Sequence, residues 1–488
     1  MSVSLYLSFR RVLSSLIGLL LVTTIGIMEL PSTKAQDPRS FQHGIDLVPL
    51  PNGHYKLIWS SSGNPPTGAN SDGSWPHDVY ASNIDPANPQ IVPTTLISRP
   101  EAQEPASSAI TADGRIMVTM EDGWNAQNLL AQRYGVYDTN LNPVTGYPQL
   151  VLDGGHSGHV AAVENQFVVF YSEGWVAGGG VDDLGSGDDV YVSVYQSNGA
   201  FVRSRSIAVG NATRDWWPIV AGSNNHAMLL WQRFVDNETY SELIYSIYNP
   251  SNGSFVKTEA LLATELEYYT YDVQYIESID RFLAVGAYKQ GGGFAYLIDD
   301  QGTIVGEHLA LPEVVREGQP AIWFDEGSSA GPNDNTARVV YPKSDGGVMV
   351  LELTTDDIAL SAEIAGLPWQ TAGTDGIFTA EDDVYFVNLS PTGLIERTFQ
   401  IEPVLLGDFD GDWDVDGTDF LVWQRAKASG ADANGDGVVD SKDLAFWQSN
   451  FGEVGTETGS TAIVPESSSC LLALVGMSLA LYFSTLYR

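Results

Sequence analysis

Apolar residues in this chain come in short runs separated by turns rich in Gly, Asn, Asp and Pro. Between residues 38 and 403 no stretch holds a 3.6-residue apolar spacing long enough for an amphipathic helix. The runs are rich in Val, Ile, Tyr, Phe and Trp, which suit a pleated surface. One run recurs seven times: YKLIWSS (55–61), RIMVTME (115–121), QFVVFYS (166–172), HAMLLWQ (226–232), RFLAVGA (281–287), ARVVYPK (337–343) and DVYFVN (383–388). Its starts are spaced by 60, 51, 60, 55, 56 and 46 residues. A partner run follows most copies, as in DVYASNID (78–85), DVYVSVYQ (189–196) and LIYSIYNP (243–250). After a turn, a third run follows in SNGAFVRSRSIAV, SNGSFVKTEALLA and QGTIVGEHLAL. Asn-Gly and Gln-Gly suit tight hairpins, because Gly accepts a positive φ without a Cβ clash.

The repeat therefore predicts three or four antiparallel strands per copy. One such sheet cannot bury both faces alone, but copies stacked radially can. The fold class expected is mainly β: a β-propeller over 38–403, seven blades favoured, six or eight left open. HGIDLVPL (43–50) is expected to complete the last blade. The repeats also resemble a bacterial family of extracellular propeller repeats, with a WxS strand, a DVYxxxY strand and a turn. That resemblance implies a surface-associated β protein and carries no activity.

Charge narrows the function classes. Asp and Glu total 61 against 23 Lys and Arg, a formal charge of −38. Such a chain repels nucleic acid and anionic lipid surfaces, and suits cation binding. The one cysteine, Cys470, permits no intramolecular disulfide, so packing or metal must hold the fold.

The two ends read as targeting segments. Residues 1–35 have Arg10 and Arg11, then the apolar Val12–Met28, then Thr33-Lys34-Ala35 as a cleavage site. This is the order of a secretory signal peptide, with an uncleaved anchor as the alternative. After a linker over 454–464, Pro465 and Glu466 precede an apolar run from Cys470 to Tyr487, closed by Arg488. The run is long enough for a transmembrane helix. Residues 465–488 resemble a PEP-CTERM sorting tail, which implies an exosortase as processing partner and retention at the cell surface or outer envelope. A plain membrane anchor is the alternative.

The stretch GDFDGDWDVDGTDFLVWQRAKASGADANGDGVVDSKDLAFWQSNF (407–451) writes one acidic loop twice. Asp408, Asp410, Asp412, Asp416 and Asp419 fall at positions 1, 3, 5, 9 and 12 of a twelve-residue loop. Asp432, Asn434, Asp436, Asp440 and Asp443 repeat them, and Asp414 and Val438 offer the position-7 carbonyls. Alternate oxygens on a tight loop can converge on Ca2+, a hard ion that takes six to eight of them. Each loop leads into an amphipathic stretch, 419–425 and 443–449. Position 6 is Trp413 in the first loop and Gly437 in the second, so the second site is expected to bind more tightly. Residues 405–453 resemble a type I dockerin, which implies a calcium-binding module and a cohesin-like partner. The residues at the partner-contact positions, Gly417-Thr418 and Ser441-Lys442, keep a different surface protein, or the propeller itself, as alternatives.

For the propeller three functions are carried forward. The first is a binder of extracellular polysaccharide or a surface partner, with no catalysis assumed. The second is a glycoside hydrolase or polysaccharide lyase, and the third a structural envelope protein. No nucleophile elbow, phosphate loop or zinc-protease motif is present. The catalytic candidates are carboxylates beside tryptophans: Glu121, Asp122, Glu173 and Asp215. Exposed rings among Trp75, Trp124, Trp175, Trp216, Trp217, Trp323 and Trp369 would stack on sugars, whereas packing between blades is the competing role. His156 and His159 offer a metal pair or a turn cap. Asp182, Asp183, Asp188 and Asp189 offer a third calcium loop or a solvated one.

Overall fold

The recurring run is apolar without alternation because it is buried on both sides. In the computed structural model its first copies are each the second strand of a four-stranded antiparallel sheet, and Tyr55–Ser61 or Gln166–Glu173 is almost wholly buried along its length. The structure describes residues 42–452, except 72–73, 75, 86–89, 124–129, 175, 178–184, 187, 210–212, 236–239, 312–322, 326–335, 343–347, 365–375, 381–382, 389–394, 401–406, 411–413, 426–430, 432–438 and 440. The expected signal peptide, linker and sorting tail lie outside the described residues. Among the described residues no helix is long and apolar enough to cross a membrane.

The chain divides into two units. The larger is mainly β. Its first sheet runs Gln42–Pro49, Tyr55–Ser61, Asp78–Ile84, Thr94–Ile97, and its second Gln103–Ile110, Arg115–Asp122, Ala131–Asp138, Pro143–Asp153. The third runs His156–Val163, Gln166–Glu173, Asp189–Gln196, Phe201–Ala208. A seven-stranded sheet follows, from Thr213–Gly222 to Ile304–Leu311. It amounts to a fourth and a fifth sheet that share one strand, Ser254–Ile276. This strand pairs with Ser241–Asn249 up to Leu266 and mainly with Arg281–Tyr288 from Tyr271. A sixth sheet begins at Trp323–Asp325 and a three-stranded seventh at Gly376–Ala380.

The first strand of each sheet is the inner one. Gln42–Pro49 adjoins Gln103–Ile110, which adjoins His156–Val163, then Thr213–Gly222, then Ser254–Ile276. Trp323–Asp325 adjoins Gly376–Ala380, which adjoins Gln42–Pro49. The sheets thus stack around their inner strands, and the second strands Arg115–Asp122, Gln166–Glu173 and Ala227–Val235 are covered by the sheets on both sides. Trp231 on the fourth sheet packs against Phe170 on the third, and Met117 on the second packs with Phe167 and Val169 on the third. Outer strands show the opposite pattern: Pro143–Asp153 alternates between exposed and half-buried residues.

Two expectations are corrected. The recurring run is the second strand rather than the first, and inner strands such as Gln103–Ile110 and His156–Val163 carry too few large apolar residues to read as apolar runs. The segment 43–50 does not complete the last sheet. It leads the first, through a local hairpin whose turn is closed by Gly53 N–H to Leu50 O at 3.0 Å. A short hairpin closes at lower entropic cost than a pairing between chain ends.

Tyrosines of the third strands join neighbouring sheets. Tyr134 Oη donates to Gly199 O at 2.8 Å, and Tyr245 Oη repeats this to Gly302 O at 3.0 Å. Both glycines occupy hairpin turns at positive φ, +86° and +77°. A Cβ on Gly302 would lie 2.7 Å from Lys257 Cβ and 2.9 Å from Ile247 Cγ1. The Gly of each turn therefore serves both the hairpin and the inter-sheet contact.

The smaller unit holds helices α1 (Gly417–Arg425) and α2 (Ser441–Asn450). Trp447 of α2 packs on Phe420 of α1 and on Phe451, with ring centroids 5.1 and 5.0 Å away. Its indole N–H donates to Asp416 O at 2.6 Å. Val415 is fully buried.

Gly302→Ala is expected to destabilise the β unit by roughly 2 kcal/mol or more, from the left-handed backbone and the clash together. Tyr245→Phe loses one hydrogen bond and is expected to cost about 1 kcal/mol. Urea unfolding of both variants checks the order, and a smaller cost for Gly302→Ala would contradict the packing described.

Candidate functional site

The inner strands share a distortion near their starts. The ladder slips between His43 and Ile45, between Glu104 and Ser107, between His156 and His159, and between Trp216 and Ile219. Gly44, Ser157 and Trp217 take positive φ values there, +65°, +51° and +53°. Bulges of this kind turn side chains out of the regular pleat. They also interlock: a Cβ on Gly44 would lie 2.6 Å from Pro105 Cβ, His159 Nδ1 lies 2.8 Å from Pro218 O, and Tyr271 Oη donates to Trp217 O. His77 and Asp188, just before third strands, and Glu121 and Asp122, at the end of a second strand, lie beside these starts.

Most carboxylates gathered here are closed by basic partners. Asp122 is buried, accepts from Tyr147 Oη, and lies 3.4 and 3.5 Å from Arg99 and Arg133 Nε. Asp215 is buried and accepts Trp231 Nε1 and Arg233 Nε, each at 2.7 Å. Asp188 lies 2.9 Å from His156 Nε2 and 2.6 Å from Arg214 Nε, and the Arg214 guanidinium sits 3.4 Å over the Trp216 ring. Buried ion pairs with this many hydrogen bonds fix geometry, and removing one partner strands a charge. Glu104, buried, is held between His77 and His43. Burial alone would raise its pKa, but the two histidines outweigh that and hold it below the usual carboxylate range.

Glu121 differs. It is the direct cross-strand partner of Glu104 and is only partly buried. Its Oε1 accepts the Ser157 backbone N–H at 2.5 Å and the Ser157 Oγ at 3.1 Å. Trp216 Nε1 in turn donates to Ser157 Oγ at 3.0 Å. Removal from water raises the Glu121 pKa and the charge of Glu104 raises it further, against the opposing pull of His156 and Ser157. Two facing carboxyls are thus driven in opposite directions. Glu104 and Ser157, absent from the sequence candidates, lie on the polar inner strands that carried no apolar signal.

The other sequence candidates fall elsewhere. Glu173 stands opposite Asp189 and hydrogen-bonds Tyr191. His156 and His159 diverge to Asp188 and to Pro218 O, and burial lowers the His159 pKa to about 4. Asp188 is used internally, while Asp182 and Asp183 lie outside the described residues. Trp216 is buried and Trp217 packs against His159. Trp75, Trp124, Trp175 and Trp369 lie outside the described residues, as does the Trp323 side chain.

In the helical unit the carboxylates of Asp408, Asp410 and Asp419 converge within 4.8 Å, and so do those of Asp414, Asp416 and Asp419. Asp419, fully buried, accepts the N–H groups of Phe409 (2.6 Å), Asp410 (3.1 Å) and Asp416 (2.7 Å), which wraps the loop around its carboxylate. This all-oxygen, anionic donor set fits a hard divalent cation. Asp412, Asp432, Asn434, Asp436, Val438 and Asp440 lie outside the described residues. Asp443, the counterpart of Asp419, is buried at the start of α2.

No protein-family model and no curated protein matches this sequence. Among solved structures the chain is similar to Trypanosoma rangeli sialidase, at 9% identity and a TM-score of 0.40, covering 74% of this chain and 58% of that one. It is similar to the β-propeller domain of the Trilobed protease from Pyrococcus furiosus, at 9% identity and 0.39, covering 74% and 94%. It is also similar to Aleuria aurantia lectin, a six-bladed β-propeller, at 12% and 0.38, covering 68% and 96%. At these values the likeness assigns no activity to this chain.

Farther along the inner strands, burial raises the Asp46 pKa to about 7. Burial raises that of Asp272 to about 8, and the charge of Asp46 adds to it. A raised folded pKa contributes stability below the unfolded value, which is lost as pH rises through the folded one. Asp272→Asn keeps the acceptor for Val273 N–H and is therefore expected to gain on the order of 1–2 kcal/mol over the native chain at pH 8.5, and nothing at pH 4. Thermal melts at the two pH values check this, and an equal effect at both would contradict it.

Proposed function

We propose that this chain is a secreted, surface-retained protein whose β unit is a seven-bladed propeller that holds extracellular polysaccharide at the bulged end of its inner strands. The observation that carries this reading is the division among the carboxylates there. Asp122, Asp188 and Asp215 are closed by arginines, while Glu121 is partly exposed and spends one oxygen on Ser157. A rigid polar surface that leaves one hydrogen-bonding group open is suited to sugar hydroxyls. Secretion and retention rest on the sequence of residues 1–35 and 465–488.

The helical unit is proposed to bind Ca2+ through Asp408, Asp410, Asp412, Asp414, Asp416 and Asp419, with a second ion at Asp432, Asn434, Asp436, Val438, Asp440 and Asp443. Bound calcium would supply positive charge that offsets these carboxylates. Asp419 and Asp443 lie at the first turns of α1 and α2, so the ions would also tie each loop to its helix. A cohesin-like or other surface protein is the proposed partner of this unit.

Retention of the native chain on a panel of insoluble and immobilised polysaccharides tests the first reading. Selective retention of at least one glycan, competed by the same glycan in solution, is expected. No retention across neutral, acidic and amino polysaccharides would contradict it. For the second, calorimetric titration is expected to show calcium binding that Asp419→Ala weakens by at least about 10-fold, with EGTA shifting the Trp447 fluorescence. Unchanged binding in Asp419→Ala would contradict the loop assignment.

A further inference from the structure

The same end holds the two components of acid-catalysed glycoside cleavage. We propose that it hydrolyses the glycosidic bond of the sugar it holds, with Glu121 as proton donor and Glu104 as the fixed negative charge facing the bond. This rests on the reading of the bulged end as a glycan site.

The assignment follows from geometry and elimination. Glu104 and Glu121 are paired across adjacent antiparallel strands, which places their Cβ atoms about 5 Å apart on one face. Glycoside hydrolysis uses two carboxyl groups at that order of separation, one protonated and one ionised. Ser157 anchors Glu121 Oε1 through both its backbone N–H and its hydroxyl, and no hydrogen bond among the described residues reaches Oε2. Ser157 is itself held by Trp216 and takes a left-handed backbone. Glu104 is buried behind, clamped by His77 and His43, so it acts through its field rather than by contact.

The groups that face Glu121 are Glu104 on its own sheet, with His43 and His77 behind it, and His156 and Ser157 on the third sheet. Their balance raises the proton affinity of Glu121 while the histidines lower that of Glu104, so the two are pushed apart, as acid and counter-charge require. In the step, the Glu121 carboxyl gives its proton to the glycosidic oxygen. The bond from that oxygen to the anomeric carbon breaks, and its electron pair stays on the oxygen. The Glu104 carboxylate stabilises the positive charge left on the anomeric carbon. Water adds to that carbon, and its proton goes to the Glu121 carboxylate, which restores the acid.

The test uses the secreted full chain in calcium, with soluble laminarin, xylan, polygalacturonate and chitosan, and measures both retention and new reducing ends. The expected result is cleavage of a retained glycan. Glu121→Gln, compared with the native chain at saturating glycan, should lose at least about 100-fold in cleavage rate. Glu121→Asp, which keeps the proton but withdraws it, should lose at least about 10-fold and serves if the glutamine variant does not fold. Glu104→Gln should move the alkaline limb of the rate profile to lower pH, because the neighbouring charge that supports the Glu121 proton is gone. A purely structural role for Glu104 would leave that limb in place. A glycan retained without new reducing ends overturns the hydrolysis alone, as does a Glu121→Gln variant that cleaves at the native rate. No retained glycan overturns the binding reading and this inference with it.

Discussion

Each sheet of the β unit depends on its neighbours for burial. A four-stranded sheet whose second strand is apolar on both faces cannot stand in water, so copies must stack, and the inner strands are brought together as a consequence. Trp231 against Phe170, and Met117 with Phe167 and Val169, show the stacking from the inside of the sheets. The inner strands lie where the stack converges. Their bulged starts are held by hydrogen bonds and ion pairs, while Ile45, Val160, Ile219 and Val273 farther along join the core.

That constraint explains the location of the polar network. Regular strands with Asp, Glu, His and Arg at their starts would bury unpaired charge. The bulges at Gly44, Glu104–Ser107, Ser157 and Trp217 turn these side chains toward partners on adjacent sheets: Asp188 toward Arg214, Glu104 toward His77, Ser157 toward Glu121. The network therefore ties sheets to one another while leaving Glu121 half-closed. The left-handed backbone of Ser157 is a cost the surrounding contacts absorb, and it places two donors on one carboxylate oxygen.

The mainly β class and the repeat were legible because the second strands are buried on both faces and recur at near-regular spacing. In the first Asp loop the carboxylates alternate along the chain, and those of Asp408, Asp410 and Asp419 converge. The inner strands were not legible: HSGHVAAV and QEPASSAI lack the apolar density that marks a strand, since their burial is by polar partners. Glu121 stood out beside Trp124, yet its actual neighbours, Glu104 and Ser157, are 17 and 36 residues away and are brought close only by strand register and by the stacking of the second and third sheets. Asp122 and Asp215 looked equivalent to Glu121 in sequence. The arginines that close them lie elsewhere in the chain, Arg133 and Arg233 on other strands and Arg99 in a connection, and no local pattern announces the pairing.

The central claim is that Glu121 is the accessible carboxyl at the bulged end and that the ligand lies over it. Carbodiimide footprinting of carboxyl groups, read by mass spectrometry with and without a retained glycan, tests it most directly. The account predicts labelling of Glu121 in the free protein, protection of Glu121 by the glycan, and no labelling of Asp122, Asp188 or Asp215 in either state. Labelling of Glu121 that the glycan leaves unchanged, or labelling of the arginine-paired aspartates in its place, would contradict it.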